Sequence, residues 1–479
     1  MKVHSLFVES TRSRYLLPVV FIIAVAVGWL ISILGVLGLV LLLGVTLTVV
    51  FVTFVFLNPR LGVVTYLVYC FFIMTIGRHV PGSQPGLAID GLLLLTWLAV
   101  IFNRSEQLKW SRIQNTLCVL TLVWFVINLV EIVNPAGANL MGWLYEMRST
   151  TLYWCLTVPL CYLIFYRQKD LQLFLVLIIL FSALGAVYGI KQKVFGVDSL
   201  EQRWLDAGAS TTHILFGRLR VFSFYIEAAQ FGASQAHVGV MCLILALGPF
   251  KWWKRGLLLL ASILILYGML ISGTRGAMFV LLTGVLLYLI LSKQVKITIL
   301  GFILASIALF GLKYTSIGSG NADIVRLRTS LNPHDPSFQL RLMNQAKLGT
   351  YLASRPFGGG VGSIGTWGRQ YNNENYLSTI PPDSYFIKIW AEYGIVGFII
   401  WFGLMLFILG HCCGIVWRIQ NPQLRQKLLA LTAGFAGILV SSYGNEVMNQ
   451  MPSAMILYIS WVFVFRGPSL DTNPAALPV

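Results

Sequence analysis

Runs of apolar residues too long for a soluble core are what most limits this chain. A helix of about 20 residues crosses a hydrocarbon layer, and runs of about 18 or more apolar residues read as transmembrane spans. Such runs fall at roughly 16–34, 37–57, 61–77, 87–102, 112–130, 150–165, 171–190, 222–248, 256–272, 277–292, 297–313, 384–410, 428–446 and 452–466. The first two are one stretch, split near Gly35 because it is too long for a single crossing. Charged residues make up 11% of the 479 and hydrophobic residues 57%, whereas soluble domains carry about a quarter charged residues. The expected fold class is all-α: a polytopic integral membrane helix bundle of about 12–14 transmembrane helices. The expected organisation is an N-terminal transmembrane bundle (1–217), central transmembrane helices with arginine motifs (218–313), a long extracytoplasmic loop containing short helices (314–382) and C-terminal transmembrane helices (383–479).

The first run, from Leu16, has no small-residue cleavage site and flows on through Gly35 and Gly38, so no cleavable signal peptide is expected. The net charge of +17 does not indicate nucleic-acid binding, because the basic residues are scattered through short loops. Dense basic clusters such as Lys251–Arg255 and Arg418–Lys427 fix orientation instead, placing both termini in the cytoplasm and the 314–382 loop outside. None of the seven cysteines lies in that loop. Neither disulfides nor metal-ligand spacing is expected.

The loop between Tyr314 and Pro382 gathers Arg326, Arg328, Arg341, Arg355 and Arg369, and further arginines flank other outside turns. A planar guanidinium suits bidentate recognition of phosphate or carboxylate. Arg275 sits in the turn Ser272-Gly-Thr-Arg-Gly-Ala277, either snorkelling in a hairpin or offering a fixed cation at the surface. Arg218 and Arg220 stand at the mouth of the 222–248 span, with Glu227 about two turns in, as a partner for Arg220 or a group facing a cavity. Asp335 and Pro336 mark the start of a short helix carrying Arg341. Pro356-Phe-Gly-Gly-Gly-Val-Gly-Ser363 must turn sharply, and the amides of Gly360 and Gly362 suit either a plain turn or a phosphate cradle.

Asp383 reads as a helix N-cap or as a chemical group, and Lys388 and Glu392 have the spacing of a pair on one helix face. Trp367, Tyr371, Tyr376 and Tyr385 suit sugar stacking or an interfacial belt. His213, His237, His334 and His411 read as structural or solvated.

Taken together these motifs resemble the O-antigen ligase and polymerase family of bacterial membrane glycosyltransferases. Asp383-Ser384 is followed by nine residues and then Gly394-Ile-Val-Gly397, the spacing of the family's histidine motif with aspartate in the leading place. Ser272–Gly276 resembles its outer-turn arginine motif. Arg341 with Arg355-Pro-Phe-Gly-Gly-Gly-Val-Gly362 resembles its loop arginine and glycine turn, and Arg220 the arginine opening its central helix. The resemblance implies transfer of a glycan from undecaprenyl diphosphate to a glycan or lipid acceptor, on the outer face of a bacterial inner membrane. Membrane lipids and other polysaccharide-assembly membrane proteins are the implied further partners.

Within that resemblance Arg220, Arg275 and Arg341 would neutralise the departing diphosphate without metal or cofactor. Asp383 would orient or deprotonate the acceptor, with Glu227 or His334 in reserve. Arg218, Arg355, Glu227, Gly360, Gly362 and Tyr385 are the substrate-binding candidates. Aspartate in the histidine's place favours a polymerase or exopolysaccharide relative over a lipid A-core ligase. A transporter or flippase for an anionic lipid or solute and a non-catalytic membrane scaffold are the rival readings.

Overall fold

A computed structural model of the chain describes residues 32–471, apart from 81, 104–107, 137–138, 216, 294, 383 and most of 317–333, with isolated positions before residue 32. Asp383, Arg326 and most of the expected first span lie outside the described residues. In chain order the helices are α1 (Val36–Leu57), α2 (Pro59–His79), α3 (Pro85–Phe102), α4 (Thr116–Val130), α5 (Leu140–Met147), α6 (Tyr153–Ile164), α7 (Gln168–Phe195) and α8 (Ser199–Trp204). A two-strand hairpin follows, β1 (Ile214–Leu215) against β2 (Arg218–Leu219), with Leu215 opposite Arg218. Then come α9 (Ala228–Ala246), α10 (Trp252–Ile271), α11 (Arg275–Leu291), α12 (Val295–Tyr314), α13 (Pro336–Leu352), α14 (Gly365–Tyr371), α15 (Tyr385–Arg418), α16 (Pro422–Ser441), α17 (Ser453–Phe465) and α18 (Gly467–Asp471).

Among the described residues nine helices (α1 to α4, α7, α9, α10, α15 and α16) are long and apolar enough to cross a membrane, and α11 and α17 are apolar but shorter. The protein is an all-α, multi-pass membrane protein.

The chain divides into two units. One comprises residues 1–62 and 94–104, the other residues 63–93 and 105–479. In the smaller unit α1 is apolar on every side and almost wholly exposed, as suits lipid contact. Gly62 lies against Thr96, where a side chain would collide with the hydroxyl. The larger unit is built on α9, nearly every residue of which is buried against α10, α11 and α16. Small residues set that spacing. A methyl at Gly239 would meet Leu266 at 2.6 Å, and one at Gly437 would meet the Val280 carbonyl at 2.6 Å. Without a hydrophobic drive between helices in lipid, such close backbone approach supplies the dispersion contact that holds them.

Helix ends depart from the apolar runs where polar groups decide. The 222–248 run becomes helix only from Ala228, because Ser223–Ile226 is unwound, with Ser223 at φ 52°. Arg78 holds this segment: its guanidinium donates to the carbonyls of Ser223, Tyr225 and Ile226 and lies over Trp204 and Phe222. The 428–446 run starts earlier as α16, since Asn421 accepts from the Gln423 and Leu424 amides and Pro422 opens the first turn. It ends at Ser441. That places Glu446 in a turn rather than a helix interior.

Candidate functional site

Ser384 caps α15, accepting from the Ile387 amide, and the Tyr385 amide donates to the Ser442 carbonyl at 3.0 Å. Two turns later the helix breaks at Gly394, with φ 65°. The break leaves carbonyls open, and the glycine turn fills them: Gly359 N donates to Ala391 O at 2.8 Å and Gly360 N to Glu392 O at 3.0 Å. Gly362 N donates to the Glu392 carboxylate at 3.0 Å. The turn can come this close because Gly358 and Gly394 face each other without side chains and with positive φ. The Gly360 and Gly362 amides are thus engaged within the protein, completing a broken helix.

The first turns of α15 carry Lys388 into a buried charge cluster. Its Nζ lies 2.9 Å from Glu146 Oε2 and 3.2 Å from Glu446 Oε2. The pairing expected from the spacing of Lys388 and Glu392 gives way to these partners, one from α5 and one from the turn after α16. The Glu146 side chain is 1% exposed and that of Glu446 21%, so Glu446 is the carboxylate a ligand reaches. Burial pushes the Glu446 carboxyl above its usual range; Lys388 opposes that shift and Glu146 adds to it.

This cluster borders a cavity of about 660 Å3. Tyr145, Trp367 and Tyr371 form one wall, with ring centroids 4.6 Å (Tyr145–Trp367), 5.6 Å (Tyr145–Tyr371) and 6.1 Å (Trp367–Tyr371) apart. Arg148 also lines it, bound to Asp90 at 2.6 Å. Arg148 begins a π-helical turn, Arg148–Leu152, at the point where α5 passes into α6. Such turns are frequent at functional sites.

A second cavity of about 410 Å3 brings together two sequence-predicted arginines, Arg275 and Arg341. Arg275 opens α11, where helix begins after Thr274. The Thr274 hydroxyl donates to the Ala228 carbonyl at 2.8 Å, tying the turn to α9. Arg341 comes from α13, whose start is as the sequence indicates: the Phe338 amide donates to the Asp335 carboxylate at 3.2 Å. Asp335 also holds Arg275, Nη1 to Oδ2 at 2.6 Å. Gln345, Ser441 and Tyr443 complete the lining. The cavity offers two guanidinium groups and one carboxylate, a net positive concavity suited to an anion.

The remaining predicted residues lie elsewhere. Arg220 joins the hairpin, its Nη1 donating to Thr212 O at 3.1 Å and its amide to His213 O at 2.7 Å. His213 is buried between Trp204 and Phe222, and that burial pushes its imidazole down to about 4. Arg218 is exposed in β2, and Glu227 stands at the N-cap of α9 rather than inside it. Arg355 lies over the Tyr351 ring at 4.1 Å and donates to its carbonyl. Tyr385 is buried edge-on against Trp401. Among the described residues no three His, Cys, Asp or Glu side chains gather as a metal site would.

Sequence reasoning missed the partners of Lys388, since Glu146 and Glu446 are remote in the chain. Their signal is an acidic residue at the edge of an apolar run, and Glu446 closes the 428–446 run.

Residues 260–402 match the family model described as O-antigen ligase. No curated protein matches the chain. The matched stretch includes Arg275, Arg341, the glycine turn and Lys388, while Glu146 and Glu446 lie beyond it.

Proposed function

We propose, from the match of residues 260–402 to the O-antigen ligase family model, that this protein is a glycosyltransferase that moves a lipid-linked oligosaccharide onto a glycan or lipid acceptor. The donor carrier is undecaprenyl diphosphate, and the reaction runs on the periplasmic face of the inner membrane with both termini in the cytoplasm. The one observation that carries this reading is that Arg275 and Arg341, distant in sequence, line the same cavity.

The chemistry follows from the leaving group. Attack of an acceptor hydroxyl on the anomeric carbon forms the new glycosidic bond as the bond to the diphosphate breaks. The leaving diphosphate gains negative charge in the transition state. Two guanidinium groups fixed where that charge develops stabilise it more than they stabilise the substrate. No metal is required for that electrostatic task. Asp335 holds Arg275 in place until the diphosphate competes for it. Asp383, adjoining Ser384, would orient the acceptor hydroxyl or take its proton.

In a strain lacking the protein, wild-type chain restores long-chain glycan. Arg275→Ala or Arg341→Ala restores none, with protein abundance unchanged. Wild-type glycan ladders from both variants contradict the assignment.

A further inference from the structure

The cavity beside Lys388 is poorly suited to the donor's diphosphate. Its two cations are outnumbered by the three carboxylates they pair with, Lys388 with Glu146 and Glu446 and Arg148 with Asp90, whereas Arg275 and Arg341 share their cavity with Asp335 alone. What it offers are hydrogen-bond acceptors and flat apolar surface. Glu146 Oε1, Asn449 Oδ1 and Gln450 Oε1 are buried oxygens without hydrogen-bond partners, and all three residues line this cavity. Buried acceptors of this kind call for donors from a ligand. Opposite chemistry comes from Tyr145, Trp367 and Tyr371, whose ring planes lie within 22° of parallel in every pair. Hydroxyl donors on an otherwise apolar ring face describe a saccharide. The volume of about 660 Å3 falls within the roughly 300–1,000 Å3 of small-ligand sites.

The wall is held rigid from behind. Asn372 accepts from the Asn139 amide at 3.0 Å and donates to Gly362 O at 2.9 Å, locking α5 to the end of α14. Trp367 and Tyr371 are four residues apart on α14, hence on one face. The site also adjoins the arginine cavity. Ser441, Tyr443 and Gly444 line the one and Glu446 the other, and two residues of chain span at most about 7 Å.

We propose that the cavity walled by Tyr145, Trp367 and Tyr371 is a saccharide subsite, seating the uncharged acceptor end of the glycan apart from the diphosphate-binding arginines. The inference rests on the transferase reading above and adds to it a second site with its own residues. Sugar hydroxyls donate to Glu446, the reachable carboxylate, and to Asn449 and Gln450, while the ring's C–H face lies on the aromatic wall.

The test uses full-length protein in lipid nanodiscs and two probes. One is undecaprenyl diphosphate; the other is glycan released from the host's own lipid carrier by mild acid, free of phosphate. Trp367→Ala is expected to weaken binding of the released glycan at least tenfold, Trp367→Phe to restore it, and both to leave carrier binding unchanged. Arg341→Ala is expected to do the reverse.

Released glycan that binds Trp367→Ala as tightly as wild type, or that fails to bind wild-type protein which still takes the carrier, overturns the subsite while leaving the transferase reading intact. Loss of both probes in Trp367→Ala without recovery in Trp367→Phe marks the ring as structural and overturns the subsite as well. Carrier that binds Arg275→Ala and Arg341→Ala as it binds wild type counts against the transferase reading itself.

Discussion

Lys388 sits between two carboxylates that burial alone would make costly, and the three charges are interdependent. Substituting Lys388→Met leaves Glu146 and Glu446 facing each other without a cation. Stability in mixed-micelle unfolding is expected to fall by about 3–5 kcal/mol, the usual cost of breaking a buried pair from one side. Adding Glu146→Gln to that variant is expected to recover part of the loss; a double variant no more stable than the single one would show that the pair is not what Lys388 supports. Local spacing gave no access to this cluster, because a helix face shows only neighbours three or four residues away and the partners of Lys388 come from other elements. The same limit applies to Arg78, which the sequence offers only as one more outside arginine. Its guanidinium holds the unwound Ser223–Ile226 segment instead. Arg275 and Arg341 were legible as candidates because a motif and a helix start marked each one.

At the scale of elements, apolar length located the spans, and capping chemistry moved their ends. Pro336 and Asp335 fixed the start of α13 from sequence alone, whereas Pro422 and Asn421, preceding the charged Arg425 and Lys427, were hidden by a count of apolar residues. The break in α15 was not legible. Gly394 stands out in the sequence only through the spacing of its motif, and nothing there marks a helix break; the glycine turn that occupies the opened carbonyls reveals it. Gly394→Ala would place a methyl against the Pro356 carbonyl in a left-handed backbone, costing about 1–3 kcal/mol for the conformation before any collision. Gly403→Ala, in the same helix with open space around it, is expected to be neutral or to stabilise by about 0.5–1 kcal/mol. Unfolding of the two purified variants distinguishes a structural break from incidental glycine; equal stability would contradict it.

For the molecule as a whole, the larger unit sets two cavities of different chemistry on either side of the turn that follows α16, cationic at Arg275 and Arg341 and acceptor-rich at Glu446. The division suits the proposed transfer, in which the donor carries a diphosphate and the acceptor presents hydroxyls. The all-α polytopic architecture was legible in the sequence; of the three arginines expected together, Arg275 and Arg341 line one cavity while Arg220 is held in the hairpin. The separation into two sites was not legible, since it depends on where Glu446 and Trp367 come to rest after folding. The most direct measurement is glycan transfer by purified protein in proteoliposomes, with labelled lipid-linked donor and acceptor supplied together. Removing one charge-stabilising donor from such a site costs about 10²–10³-fold in rate. Arg275→Ala and Arg341→Ala are each expected to lose transfer by that factor while remaining folded, and variants that transfer within twofold of wild type would contradict the account.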